Sequence, residues 1–196
     1  MPGPLNDSAL NQLFGEARSF SKFLDRDVTD EQIQAIWDLM KMGPTSANQH
    51  PARLIWCKSQ EARDRLAALA SAGNKEKIRK APVCVIVGMD LEFHEHLPWL
   101  FPHTDARSWF TGDAAARKAS AFRNSTLQGA YLILAARSLG LDCGPMSGFD
   151  NAAVDTEFFA EEPTWKSNFI CAIGYGDRES LRPRSPRPDF DTFNRL

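Results

Sequence analysis

Apolar positions along this chain fall into alternating helical and strand periods. Leu10, Leu13, Phe14 and Ala17 recur at helical spacing over 8–18, with Ser8 placed to cap that helix. The next helix is better marked. Thr29 and Gln32 form a capping box, Ile33, Ile36, Trp37 and Met40 share one face, and Gly43-Pro44 ends it. A short strand is predicted over 54–57, a helix over 60–72 with Leu66, Leu69 and Ala70 inward, and a shorter helical turn over 74–80. The run Val83-Cys84-Val85-Ile86-Val87 is apolar at every position, the pattern of a strand covered on both faces. Residues 91–112 are irregular and rich in aromatics. The longest helix is predicted over 114–139, and Leu127, Ala130, Tyr131, Leu134, Ala135 and Leu139 make its second half apolar nearly all round, as in a core or an interface. Gly144-Pro145-Met146-Ser147-Gly148-Phe149 reads as a loop, 151–159 as a short helix and 169–175 as another buried strand. The tail, 176–196, is rich in Pro and Arg, then acidic and aromatic. Phe190 and Phe193 suit packing on a partner.

These elements predict one α+β domain over 1–196, a single sheet flanked by helices. Composition changes the picture little. The net charge of -2 gives no electrostatic reason to expect nucleic acid or an anionic membrane. Neither a membrane span nor a secretory signal is visible, which predicts a cytoplasmic protein. Cys57, Cys84, Cys143 and Cys171 form no CxxC pair and read as free thiols in a reducing compartment. No glycine-rich dinucleotide or P-loop motif follows a strand. His94-Glu95-His96 lacks a supporting ligand set, so no metal is expected. The nucleophile elbow of a serine hydrolase is missing, and no sequence signal supports Cys143 as a nucleophile.

Several segments, in order, carry a family resemblance: Arg18-Ser19 within Ala17–Phe23, then Pro44-Thr45-Ser46-Ala47-Asn48 with Pro51 and Arg53, then Asn74 and Lys77. Pro145-Met146-Ser147-Gly148 and the basic tail Arg182–Arg187 follow. Together they resemble the FMN-dependent nitroreductase family, and within it the malonic semialdehyde reductases of pyrimidine degradation. The resemblance implies a mostly antiparallel sheet and an intertwined homodimer with FMN at the subunit interface. It implies that Arg18, Ser19, Arg184 and Arg187 (with Arg182 beside them) hold the flavin phosphate, a dianion suited to the guanidinium fork. Pro44, Thr45, Ser46 and Asn48 would run along the flavin ring and ribityl chain. Asn74 and Lys77, one helical turn apart, would face the pyrimidine edge, where a cation favours the reduced ring. Pro145, Met146, Ser147 and Gly148 would arrive from the other subunit and offer backbone N–H groups to flavin N5 and O4. Ala52 stands where many relatives carry Trp, which implies a different pocket wall.

On the substrate side, Arg107, His103 and Trp109 lie in the irregular insertion, where the family builds its substrate roof. Arg107 is the candidate to pair with a substrate carboxylate; a structural Arg107–Asp105 pair is the other reading. The resemblance implies alternating half-reactions: NADH or NADPH reduces the flavin, then malonic semialdehyde is reduced to 3-hydroxypropanoate. No catalytic side chain is assigned, and His103 or solvent would supply the proton. The alternatives are a broad nitroaromatic or quinone reductase, and a flavin-binding carrier or sensor without turnover.

Overall fold

The structure, a computed structural model, describes residues 3–196. Its helices and strands run in the order α1 (Asp7–Leu10), α2 (Asp30–Met40), β1 (Ala52–Cys57), α3 (Gln60–Ala68), α4 (Ala72–Lys80), β2 (Val83–Asp90), α5 (Leu97–Leu100), α6 (Ala114–Ser138), β3 (Asp142–Met146), α7 (Asn151–Phe158), β4 (Trp165–Gly174) and α8 (Phe190–Phe193). The strands form one sheet in the order β1-β2-β4-β3, antiparallel at every pairing.

The continuous apolar run of β2 has the reason inferred from it. Successive side chains of a strand point to opposite faces. Val83, Val85 and Val87 join one core, with Ile36 and Met40 of α2 and Leu132, Ala135 and Ala136 of α6. Cys84 and Ile86 join the other, with Leu66 of α3, Ile78 of α4 and Val154 of α7. The result is an α+β sandwich with helices on both faces of the sheet. All four cysteines are free and buried, and burial pushes the Cys57 thiol up to about 11, so it packs as a small hydrophobe.

Helix α2 begins with the expected capping box: Thr29 accepts from Gln32 N, and the Gln32 side chain accepts from Thr29 N. Other boundaries differ from the sequence reading. Helix α1 is short, capped by Asn6 rather than Ser8, and continues as a π-turn over Asn11–Gly15. The chain then turns extended, because Arg18–Phe20 runs alongside β3: Ser19 bridges Cys143, and Phe20 N donates to Cys143 O at 2.9 Å. Leu10 and Phe14, which share the helical spacing, are exposed. Residues 142–146, read partly as a loop, are strand β3. Pro145 is tolerated there because β3 lies at the end of the sheet. Gly144 is required by the contact just described, since a Cβ there would meet the Phe20 carbonyl oxygen.

The apolar second half of α6 divides. Leu132, Ala135 and Ala136 are buried, whereas Leu127 and, one turn earlier, Phe122 are exposed. The aromatics of α8, Phe190 and Phe193, are also exposed. Among the described residues no helix is long and apolar enough to cross a membrane.

Candidate active site

Where the Arg18 segment meets the sheet, a cavity of about 680 Å³ opens between that segment, α4, the end of α6 and the tail. The body of the protein lines it with Arg18, Lys22, Lys77 and Arg137, and the tail adds Arg182, Arg184 and Arg187. Ser19 supplies a hydroxyl, and no carboxylate lines the cavity. None of these seven cations has a carboxylate partner among the described residues. Their recorded bonds go to neutral groups. Arg18 donates to Arg182 O at 2.6 Å, and Arg184 donates to Gly15 O at 2.9 Å and Ala17 O at 3.0 Å. Arg187 donates to the tail carbonyls of Ser185 and Pro186. The structure thus brings together Arg18, Ser19, Arg182, Arg184 and Arg187, the set grouped in the sequence reading, and adds Lys22, Arg137 and Lys77, the last expected at another part of the site. The Arg137 Nε is buried without an acceptor, although its Nη1 donates to Leu13 O at 2.9 Å. An unneutralised set of guanidinium and ammonium groups is the donor chemistry that a phosphate monoester needs.

From this cavity a chain of polar contacts leads along the protein. Lys77 Nζ donates to Asn74 Oδ1 at 3.3 Å, and Asn74 Nδ2 donates to Gly148 O at 3.0 Å. Gly148 permits this approach, because a Cβ would lie 2.6 Å from Ser71 Oγ and 2.7 Å from Asn74 Nδ2. Pro145, Met146 and Ser147 line a second, more apolar cavity of about 340 Å³ with Ile133 and Phe169. The loop expected from a second subunit therefore packs on Asn74 of its own chain. One protomer supplies the cation-lined cavity, the Asn74–Lys77 edge and the 145–148 segment together. The reason is topological: β3 and the Ser19–Phe20 segment are paired, so the loop leaving β3 stays on the same side.

Pro44, Thr45, Ser46 and Asn48 are held elsewhere, on the middle of α6. Ser46 N donates to Asn124 Oδ1 at 2.8 Å, and Tyr131 Oη donates to Pro44 O at 2.8 Å. Thr45 Oγ1 accepts from His50 N at 3.3 Å. The loop holds left-handed backbone at three non-glycine residues, Ala47 (φ 51°), Asn48 (φ 50°) and His50 (φ 40°). Such conformations persist only where the surroundings impose them, and they gather at functional sites. Here Ser120, Asn124 and Gln128 of α6 impose them, together with the fully buried Gln49. Sequence reasoning missed Gln49, His50, Ser120, Asn124, Gln128 and Arg137. A signal existed for the α6 set: the three polar residues recur every fourth position, one stripe on a buried helix.

The insertion covers this loop. Asn48 Nδ2 donates to Leu100 O at 2.8 Å, tying the loop to α5. Beside it, Phe101 packs edge-on against His103 (5.4 Å between centroids) and against Trp109 (6.1 Å). Trp99 and Trp109 are largely exposed. Arg107 does not pair with Asp105. It makes a two-pronged pair with Glu95, 2.8 Å from Nε and 2.7 Å from Nη2. The Glu95 carboxyl is held below its usual range by that hydrogen bond. Arg117 takes Glu92 at 2.8 Å, and the buried His94 lies between the two carboxylates, 3.6 Å from Glu92 and 3.4 Å from Glu95. Glu92, His94 and Glu95 are close enough to share an ion, but both carboxylates already neutralise arginines, so the cluster reads as an ionic brace under the insertion.

A model of the nitroreductase family matches residues 16–175. The chain belongs to that family. The match opens just before Arg18 and ends at the close of the sheet, so the tail arginines lie outside it. A relative from Burkholderia lata, provisionally named an NADH dehydrogenase/NAD(P)H nitroreductase, is 58% identical over 192 residues, 98% of each chain. Among solved structures, a nitroreductase of Bacillus subtilis aligns with a TM-score of 0.85 at 21% identity, over 97% of this chain and 100% of that one. A nitroreductase of Exiguobacterium sibiricum solved in complex with FMN aligns at 0.84 and 20% identity over all of both chains. These two likenesses establish the nitroreductase fold for the α+β sandwich described above.

Proposed function

We propose that this nitroreductase-family protein is an FMN-dependent oxidoreductase that uses NAD(P)H to reduce a small electrophile. One observation carries the reading: a cavity walled by unpaired cations is joined by the Lys77–Asn74–Gly148 hydrogen bonds to the 145–148 segment, which lines a separate, more apolar cavity. That sequence of surroundings suits a ligand with a dianionic end, a polar edge and a planar body. The relative's name and the FMN complex in the neighbouring structure point the same way.

When bound, FMN supplies hydride transfer between the reductant and the acceptor. The protein supplies placement. Arg18, Ser19, Arg184 and Arg187 hold the phosphate, Lys77 places a cation at the polar edge, and Pro145–Gly148 presents backbone to the ring. Most of the rate then comes from positioning, with no side chain transferring a proton that must be named.

We infer a homodimer as the working unit. The Pro44–Asn48 loop sits at Asn124 and the phosphate cavity at Arg137 of the same helix, roughly 20 Å apart along α6. Both sets reach one flavin when a second copy supplies the loop. The exposed Phe122 and Leu127 on α6 are apolar surface suited to that contact.

For the acceptor we propose malonic semialdehyde, reduced to 3-hydroxypropanoate, with Arg107 exchanging Glu95 for the substrate carboxylate. The Arg107–Glu95 pair is solvent-exposed and therefore weakly held, so the guanidinium can exchange one carboxylate for another. A second reading, a broad nitroaromatic or quinone reductase, draws on the exposed Trp99 and Trp109 around Phe101, a surface for flat rings. Steady-state assays with malonic semialdehyde, a nitroaromatic and a quinone separate the two. A kcat/KM at least tenfold higher for the semialdehyde is expected; a preference for the flat acceptors replaces the first reading with the second. Failure of NAD(P)H to be oxidised with any of them would leave a carrier or sensor.

A further inference from the structure

The phosphate cavity carries more positive charge than one flavin phosphate neutralises. A phosphate monoester brings about 1.5–2 negative charges near neutral pH. Seven basic side chains surround the cavity with no lining carboxylate, so about five positive charges remain after that ligand binds. Elsewhere basic side chains are commonly paired, as Lys41 with Asp38, Arg65 with Glu157 and Arg117 with Glu92 are. The excess is concentrated here although the whole chain is net -2.

The arrangement is built. Arg184 ties the tail to the carbonyls of Gly15 and Ala17, and Arg18 ties it through Arg182 O. These bonds consume donors but leave every charge in place. Behind them, Arg137 presents a buried Nε with no acceptor and borders both this cavity and a neighbouring one of about 460 Å³. Arg182 and Lys22 are exposed beside the groups assigned to the flavin phosphate.

We propose that this cavity takes a second phosphate group beside that of the flavin: the 2′-phosphate of NADPH, the one group that distinguishes it from NADH. This rests on the flavin reading above. In the reaction proposed there, the reductant is the remaining ligand that can carry an additional phosphate monoester; Lys22, Arg137 and Arg182 are the cations left, and of these Lys22 and Arg182 are the exposed ones that can receive it. The protein therefore selects NADPH.

The test is calorimetric titration of the FMN-loaded protein with adenosine 2′,5′-bisphosphate and with AMP, which lacks the 2′-phosphate. Binding at least tenfold tighter for the bisphosphate is expected, and the paired variant Lys22→Ala/Arg182→Ala should abolish the difference with the flavin still bound. In turnover, KM for NADPH should rise in that variant to the value for NADH. Equal affinity for the two nucleotides overturns the proposal. So does an unchanged difference in the variant, or tight bisphosphate binding only after FMN is removed, which would mean room for a single phosphate. A protein that holds no flavin is recognised from its absorbance before any titration; that result refutes the flavin reading itself, and the proposal falls with it.

Discussion

Gln128 fixes the state of His50. Its carbonyl oxygen accepts from Ala52 N at 2.8 Å, so its amide nitrogen is the group 3.0 Å from His50 Nδ1. Nδ1 must accept, which places the ring proton on Nε2, donated to Asn48 Oδ1 at 2.7 Å. A buried glutamine on α6 thereby sets the tautomer of a histidine in the binding loop, and the histidine sets Asn48.

Acid should release that loop. Burial holds His50 below its ordinary pKa, and burial, then Arg117, does the same to His94. A histidine depressed by folding stabilises the fold fully above its unfolded pKa of about 6.5, and that contribution is lost as pH falls from there toward the folded value. Protonated His50 would also turn an N–H toward the Gln128 amide. Thermal denaturation should show a lower Tm at about pH 5.5 than at about pH 7.5, with part of the drop removed in His50→Gln. Equal Tm values at the two pH values would contradict the assignment.

Asn124→Ala should destabilise the loop without harming the sheet. The Ser46 amide loses its acceptor in a part-buried hydrogen bond, and such a bond contributes about 0.5–1.5 kcal/mol. Urea denaturation should register a loss in that range. Limited proteolysis should cut within 44–50 sooner than in the parent protein. A variant as stable and as resistant as the parent would show that α6 does not hold the loop.

Gly148→Ala introduces a Cβ against Ser71 Oγ and Asn74 Nδ2. The Asn74–Gly148 bond should break and the slot should distort, weakening FMN binding by roughly tenfold, about 1.4 kcal/mol. Flavin fluorescence titration of the apoprotein measures this directly. Unaltered affinity would remove the 145–148 segment from the flavin site.

Lys77→Met should act on redox balance more than on folding. Loss of the cation at the polar edge disfavours the anionic reduced ring, so the midpoint potential should fall by about 30 mV or more, tenfold in a two-electron equilibrium. An unchanged potential with weaker binding would assign Lys77 to the phosphate alone.

Arg107→Lys keeps the charge and loses the fork. If Arg107 receives the substrate carboxylate, KM for malonic semialdehyde should rise about tenfold while nitroaromatic reduction is unchanged. A KM equal to the parent value would leave Arg107 as the partner of Glu95 and nothing more.

How far the sequence could be read depended on the range of the interactions. The run Val83–Val87 announced a strand covered on both faces, because that pattern is local and every position obeys it. Thr29 with Gln32, one turn apart, was equally visible; Asn74 and Lys77, at the same spacing, were singled out by the family resemblance alone. Strand β3 was not, since Gly144 and Pro145 carry turn chemistry locally and are admitted only by a sheet edge and by the Phe20 backbone. The first helix ended early for the same reason: Ser19 and Phe20 are claimed by Cys143, more than a hundred residues away in the chain. The basic residues of the phosphate cavity were found by resemblance, but their common lack of acidic partners exists only in three dimensions. Arg137 and the Ser120–Asn124–Gln128 stripe lay inside a helix read for its apolar face, which hid what its polar positions hold.

The most direct measurement is an absorbance spectrum of the purified protein, titrated without oxygen first with NADPH and then with malonic semialdehyde. Flavin bands that bleach with the reductant and return with the aldehyde are expected. Bands that return only with a nitroaromatic or a quinone would keep the flavin chemistry and replace the substrate. A protein that takes up no flavin, even with FMN added, would contradict the central claim.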